Sequence, residues 1–151
     1  MNAINDIVFG AMTYIHSWER TDKQIFFGRE LDVRTVAEAY EGQGILDVQR
    51  NAYKKYLENV DQYIRNTPKV LLKFYLDNYD VISETVTIPD KINKENINEE
   101  LIVRLIRVNS IYFDRKGQFG WLCDCAWDEE HGICILLSDD MLCVKEQDYL
   151  L

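Results

Sequence analysis

The sequence predicts an α+β domain: a mainly antiparallel sheet with N-terminal strands, central helices and a C-terminal β-meander. Three patterns carry the prediction. Apolar residues alternate with polar ones at period two near the N-terminus, recur every three or four residues from about residue 45, and return to short runs between turn signals after residue 108. No internal repeat, low-complexity tract or linker interrupts the 151 residues, so residues 1–151 are read as one domain.

The N-terminal zone reads as strands. Ile7-Val8-Phe9 precedes Gly10, and Met12, Tyr14, Ile15 and Trp18 begin a second run. Glu19-Arg20-Thr21-Asp22 has the composition of a hairpin turn, and Gly28 breaks the run Gln24-Ile25-Phe26-Phe27. Leu31, Val33, Thr35 and Ala37 alternate with Asp32, Arg34, Val36 and Glu38, the pattern of a half-buried strand.

Helical spacing dominates residues 45–81. Ile45, Val48, Ala52, Tyr56, Val60 and Tyr63 form an apolar stripe widened by Tyr53, Leu57 and Ile64. Gln49, Arg50, Lys54, Lys55 and Glu58 fill the opposite face. Thr67-Pro68 resembles a cap followed by proline at a first helical position, so a second helix is expected there, with Val70, Leu71, Phe74 and Tyr75 continuing the stripe. Tyrosines at this spacing belong to the core and its rim before any stacking platform. Residues 83–96 read as a connector. Asn96 and Glu99 form the pattern of a capping box for a short helix carrying Ile97, Leu101, Ile102, Leu105 and Ile106.

The closing zone, 108–148, reads as a meander. Asp114-Arg115-Lys116-Gly117 is a turn after Ile111-Tyr112-Phe113. In the next strand Phe119, Trp121, Cys123, Cys125 and Trp127 share one face, and Gly120, Leu122, Asp124, Ala126 and Asp128 the other. Asp128-Glu129-Glu130-His131-Gly132 then turns into Ile133–Leu137, and Ser138-Asp139-Asp140 turns into Met141–Val144.

Charge narrows the function classes. The net charge of −9 opposes binding to a phosphate backbone or an anionic membrane, so neither nucleic acid nor membrane is an expected partner, and a basic protein is. Eight acids lie between Asp124 and Asp148 against one lysine, so this stretch carries −7 of the net charge. If the turns converge, Asp128, Glu129, Glu130, His131, Asp139, Asp140 and Asp148 form an acidic binding surface with Trp127 as an aromatic anchor. The bland alternative is a set of solvated turns. The first residues lack a basic and then apolar leader, and four cysteines without one read as reduced thiols, so a cytoplasmic setting is expected.

Other chemistry is weakly signalled. Cys123, Cys125, His131 and Cys134, with Cys143 beyond, are the residue types zinc prefers, but no C-x2-C knuckle orders them. Cysteines inside apolar strand patterns more often pack than ligate. A nucleophile built from Cys123 or Cys125 with His131 and Asp128 lacks an oxyanion-hole glycine cluster. Neighbouring acids in hairpins are turn formers first and an acid–base pair second. Gly42-Gln43-Gly44 has no phosphate-loop spacing, and no calcium loop is present. No cofactor and no catalytic residue is therefore assigned.

Three short motifs occur in order. Asp47-Val48-Gln49-Arg50-Asn51-Ala52-Tyr53 resembles the Q-x-x-A-Y helix of a bacterial family of uncharacterised domains. Trp127–Gly132 resembles its W-D-x-E-H-G hairpin, and Gln147-Asp148 its terminal Q-D pair. The resemblance implies no established activity. By analogy with small acidic immunity proteins it implies a non-enzymatic binding domain, an immunity-type inhibitor of a basic bacterial effector. A cysteine/histidine-centred enzyme or metal-binding domain is the alternative, as is a structural domain that dimerises through a strand edge. The four cysteines depart from the family pattern, which speaks against a family-wide metal site.

Overall fold

The computed structural model describes residues 2–85, 95–139 and 141–151. It is an α+β fold built on one eight-stranded sheet whose spatial order follows the chain. The strands are β1 (Ala3–Asp6), β2 (Gly10–Tyr14), β3 (Trp18–Phe26), β4 (Arg29–Ala37), β5 (Ile106–Phe113), β6 (Phe119–Cys125), β7 (Ile133–Leu136) and β8 (Cys143–Glu146). Every neighbouring pair is antiparallel except β4 and β5, which run parallel with Ala37 opposite Phe113. A parallel pair needs a long crossover, and α1 (Asp47–Asp77), α2 (Tyr79–Thr85) and α3 (Glu99–Ile102) lie within it. Among the described residues no helix is long and apolar enough to cross a membrane.

α1 packs on one face of the sheet. Its 31 residues extend about 46 Å at the usual helical rise. The buried stripe is Ala52, Tyr53, Tyr56, Tyr63, Thr67, Leu71 and Tyr75, and it shares one core cluster with Phe9 of the β1–β2 turn and with Phe113, Phe119, Trp121 and Cys123 from the strands. Ring contacts knit the two layers: Phe9 stacks on Tyr53 at 4.4 Å, and Tyr56 sits edge-on to Phe113 and Phe119. The Trp121 indole N–H donates to the Tyr56 hydroxyl at 3.0 Å, so both polar atoms are satisfied inside the core. A smaller cluster on the other face joins Val36, Tyr112, Leu122, Cys134 and Leu136, with Leu150 from the C-terminal turn packed among them.

The polar residue that fixes this packing is Gln49, which is buried although helical spacing places it on the solvated face. Its Nε2 donates to the carbonyls of Glu38 (2.9 Å) and Phe113 (3.2 Å), just past β4 and at the end of β5. Its Oε1 accepts from the Leu46 amide at 2.9 Å, supplying one half of a capping box. Val48 and Leu57 are instead exposed. The stripe is therefore rotated towards Gln49, Ala52 and Tyr53.

Three further expectations are corrected. Glu19–Asp22 is not a turn but lies within β3, which runs unbroken from Trp18 to Phe26. Its charges serve the two faces. Glu19 reaches Arg34 of β4 on the solvated side, while Arg20 turns towards the helix and donates to Tyr53 Oη (2.9 Å), the Phe9 carbonyl and Asp22. Thr67-Pro68 does not restart the helix. Pro68 sits inside α1, the Thr67 hydroxyl donates to the Tyr63 carbonyl at 2.7 Å, and the fully buried Leu71 and Tyr75 beyond it hold the helix on course. Burial here outweighs the roughly 3 kcal/mol that an interior proline costs. The short helix is capped by Asn98, which accepts from the Leu101 amide, rather than by Asn96, and Ile106 already belongs to β5.

The first hairpin is anchored to the helix by charge. Arg50 grips the buried Asp6 carboxylate through Nε (2.9 Å) and Nη2 (2.7 Å), and the amides of Val8 and Phe9 also donate to it. Burial pushes the Asp6 carboxyl up, but Arg50 and the two amides outweigh it and leave the group below its ordinary value. A depressed carboxyl contributes stability above its unfolded pKa, and the contribution is lost as pH falls through the folded value. Asp6→Asn therefore flattens the acid limb of the stability–pH curve and costs most near neutrality, checked by urea unfolding between pH 3 and pH 7. Replacing Gln49 by Met removes the bonds to Glu38, Phe113 and Leu46 at nearly constant volume. It is expected to lower stability by about 1–3 kcal/mol in the same assay, since three hydrogen bonds of about 1 kcal/mol each are lost while the Glu38 and Phe113 carbonyls keep Arg115 and the Glu38 amide as donors.

Candidate functional site

The turn Asp128–Gly132 and the junction of α1 and α2 face each other across a cleft of about 770 Å³. The turn follows directly from β6. Trp127 leaves the strand on the helix side and is buried, its ring 5.1 Å from Tyr75 of α1. The Asp128 amide then donates to the Cys125 carbonyl and the Gly132 amide to the Asp128 carbonyl, closing the loop. Gly132 has φ +71, and a Cβ there would lie 2.5 Å from the Cys123 carbonyl and 2.4 Å from Gln147 Oε1. Only glycine fits. The terminal Gln147 thus packs against the hairpin glycine, so two of the motifs met in the sequence form one local structure.

Apolar groups form the floor: Phe74 and the edge of Trp127, with Val81, Ile82 and Ile133 beside them. Asp128, Glu129, Glu130 and Glu146 supply four carboxylates to the lining, and Lys145 and His131 are its basic members. His131 is exposed, and its Nδ1 lies 3.1 Å from Asp128 Oδ1, whose other contact is the His131 amide. The hydrogen bond and charge of Asp128, with Glu130 and Glu146 adding to them, hold the His131 imidazole above its ordinary value.

The expected acidic surface is divided. β7 separates its two turns, so Asp128–Glu130 lie at one end of the strand and Asp139 at the other. Asp139 lines a separate hollow beside Lys55 and Asn59 of α1. Glu146 pairs with Ile133 and so returns to the Asp128 end, where the exposed Asp148 follows in the closing 3₁₀ turn. Asp140 lies outside the described residues. Trp127 is part of the core with one edge on the cleft floor, not a projecting anchor.

The cysteines are divided as well. Cys123 and Cys125 face the helix side, and Cys134 lies in the cluster on the opposite face with Cys143 against it. The sheet stands between the two pairs, so they do not converge with His131 as one set of zinc ligands. Burial pushes the Cys123 thiol well up, and pushes Cys125 and Cys134 each up to about 12. A thiol held protonated in the core is a poor nucleophile, and the His131 ring is bound to Asp128 rather than to sulfur. No group of three or more His, Cys, Asp or Glu side chains among the described residues is arranged to hold a metal ion.

The helical side of the cleft comes from beyond Pro68, where the sequence places a restarted helix with Phe74 on its apolar stripe. Asn78, Val81 and Ile82 were not singled out, although extending the same spacing from Phe74 reaches Asn78 and Ile82. Among the described residues the buried Tyr75 hydroxyl, behind Trp127, has no hydrogen-bond partner.

A protonated His131 paired with Asp128 contributes stability below the imidazole's unfolded pKa, and the contribution is lost as pH rises through the raised folded value. Titration of the imidazole followed by NMR is expected to give a midpoint above the ordinary value in the native protein. Asp128→Asn is expected to return it towards that value. An unshifted midpoint in the native protein would contradict the pairing.

Residues 8–151 match the family described as Domain of unknown function (DUF6985). No curated protein and no solved structure matches the chain.

Proposed function

We propose that this chain, which belongs to the family described as Domain of unknown function (DUF6985), is a non-enzymatic binding domain that receives a basic protein in the Asp128–Gly132 cleft. The observation that carries the reading is the composition of that cleft, an apolar floor under a rim of four carboxylates. Lys and Arg side chains have the matching form: an aliphatic stem that prefers apolar surface and a cationic head that prefers carboxylate. The net charge of −9 would steer such a partner from a distance and raise its association rate.

Within that class, we propose an immunity-type inhibitor of a basic bacterial effector, acting in the cytoplasm. Its support is chemical: an acidic domain with buried, protonated thiols and a preformed cleft suits stoichiometric occlusion better than turnover. The motif resemblance points the same way by analogy.

The test is affinity capture from a lysate expressing candidate effectors, using the native chain and a Glu129→Lys/Glu130→Lys variant, washed at low and high salt. Both positions are exposed, so the fold tolerates the change. A basic protein held by the native chain, released by salt and lost in the variant is the expected result. Recovery indifferent to both salt and the substitutions, or no recovery, would overturn the reading.

A further inference from the structure

The two edges of the sheet differ in how they are protected. β8 ends in the exposed charges Lys145 and Glu146 and lies among the acids of the cleft, features that discourage another strand from pairing. β1 has no such guard. Between Asn2 and Trp18 the only Asp, Glu, Lys or Arg is Asp6, and Arg50 neutralises it. Copies of an acidic chain that repel one another elsewhere can approach here at little electrostatic cost.

The hydrogen-bond pattern of β1 specifies how an added strand would fit. The Tyr14 amide donates to the Asn2 carbonyl at 2.6 Å, so Asn2 and Tyr14 are a bonded pair. Ala3 then stands opposite Thr13, Ile4 opposite Met12 and Asn5 opposite Ala11. Bonded and non-bonded pairs alternate along an antiparallel ladder, so Ile4 bonds inward to β2 while the amides and carbonyls of Ala3 and Asn5 point to the open edge. A second strand uses both outward residues when its own Asn5 lies opposite Ala3. For an identical antiparallel strand this register places Ile4 opposite Ile4 and is self-complementary about a two-fold axis.

The side chains around the edge fit the same operation. Ile4 and Tyr14 are half-buried at the margin of the main core. Ile7, in the turn between β1 and β2, is 90% exposed. At the other end of β1 a hollow of about 950 Å³ is lined by Asn2, Ile4, Ile15 and Trp18, with His16 and Glu41 also on its lining. The Ile4-centred register sets Asp6 of one copy opposite Asn2 of the other, which brings each Ile7 to the hollow of its mate.

We propose that two copies of this chain pair antiparallel through β1, with Ile4 against Ile4, Ala3 bonded to Asn5, and Ile7 of each copy seated in the hollow beside Asn2 of the other. The pairing turns two eight-stranded sheets into one continuous sheet. It leaves both acidic clefts free at the far ends.

Sedimentation equilibrium of the full chain with an unextended N-terminus, over a wide range of protein concentration, tests this. The expected species is a dimer of twice 17.8 kDa at the upper concentrations. Ala3→Pro removes an outward-facing amide and leaves the β2 ladder intact. Ile7→Glu places a charge on an already exposed position. Each is expected to give a monomer with an unchanged circular dichroism spectrum. A native chain that stays monomeric throughout overturns the proposal, as does a dimer that survives both substitutions.

Discussion

Where two parallel strands end side by side, their last carbonyls need donors, and the helix that follows begins with amides that need acceptors. Here β4 leads into Glu38, β5 ends at Phe113, and α1 begins one residue after Leu46. The side chain of Gln49 meets both needs, donating to Glu38 and Phe113 and accepting from Leu46. The Phe113 carbonyl also accepts from the Glu38 amide, so helix and strands share one buried hydrogen-bond set. An apolar residue of similar size would fill the space but leave the Leu46 amide without this acceptor and the two carbonyls with only Arg115 and the Glu38 amide as donors. A shorter polar residue would not span it.

Much of the architecture follows from that junction. With its first turn held against the strand ends, α1 crosses the sheet in a direction that sets Tyr53 beside Phe9, Tyr56 over Phe113 and Phe119, and Tyr75 against Trp127. One turn after Gln49, Tyr53 accepts from Arg20, and the neighbouring Arg50 holds Asp6, so the N-terminal hairpin is drawn to the same end of the helix. The opposite end of α1 arrives beside the Asp128–Gly132 turn and forms the cleft with it. The Q-x-x-A-Y and W-D-x-E-H-G segments therefore occupy the two ends of one rigid helix–sheet layer, the first fixing the helix and the second shaping the surface it reaches.

β4 was legible where one face is solvated and one is packed, because period-two alternation reports that asymmetry directly, whereas β6 is buried on both faces except at Asp124 and was legible from its apolar run between turns. β3 was not, because Arg20 and Asp22 break the alternation. Arg20 lies on the packed side and is held there by its bonds to Asp22, Phe9 and Tyr53, and the last two lie outside any local sequence window. Pro68 misled for a related reason: local propensity stops a helix there, and tertiary burial of Leu71 and Tyr75 carries it onward. For the candidate site, the acids and Gly132 were legible as turn chemistry, but their convergence was not. Antiparallel turns alternate between the ends of a sheet, so acids close in sequence across β7 are apart in space, and Glu146 comes back to join Asp128.

The reading we propose makes the far end of this clamped layer the recognition surface. Amide chemical shifts of the full chain, followed while an arginine-rich amphipathic peptide is added, test it most directly. Perturbations confined to Phe74, Asn78, Asp128–Ile133 and Lys145–Glu146, saturating together and with β3 unmoved, are the predicted result. Perturbations that follow exposed acids wherever they occur, including Asp32 and Asp139, or that leave the cleft untouched, would contradict it.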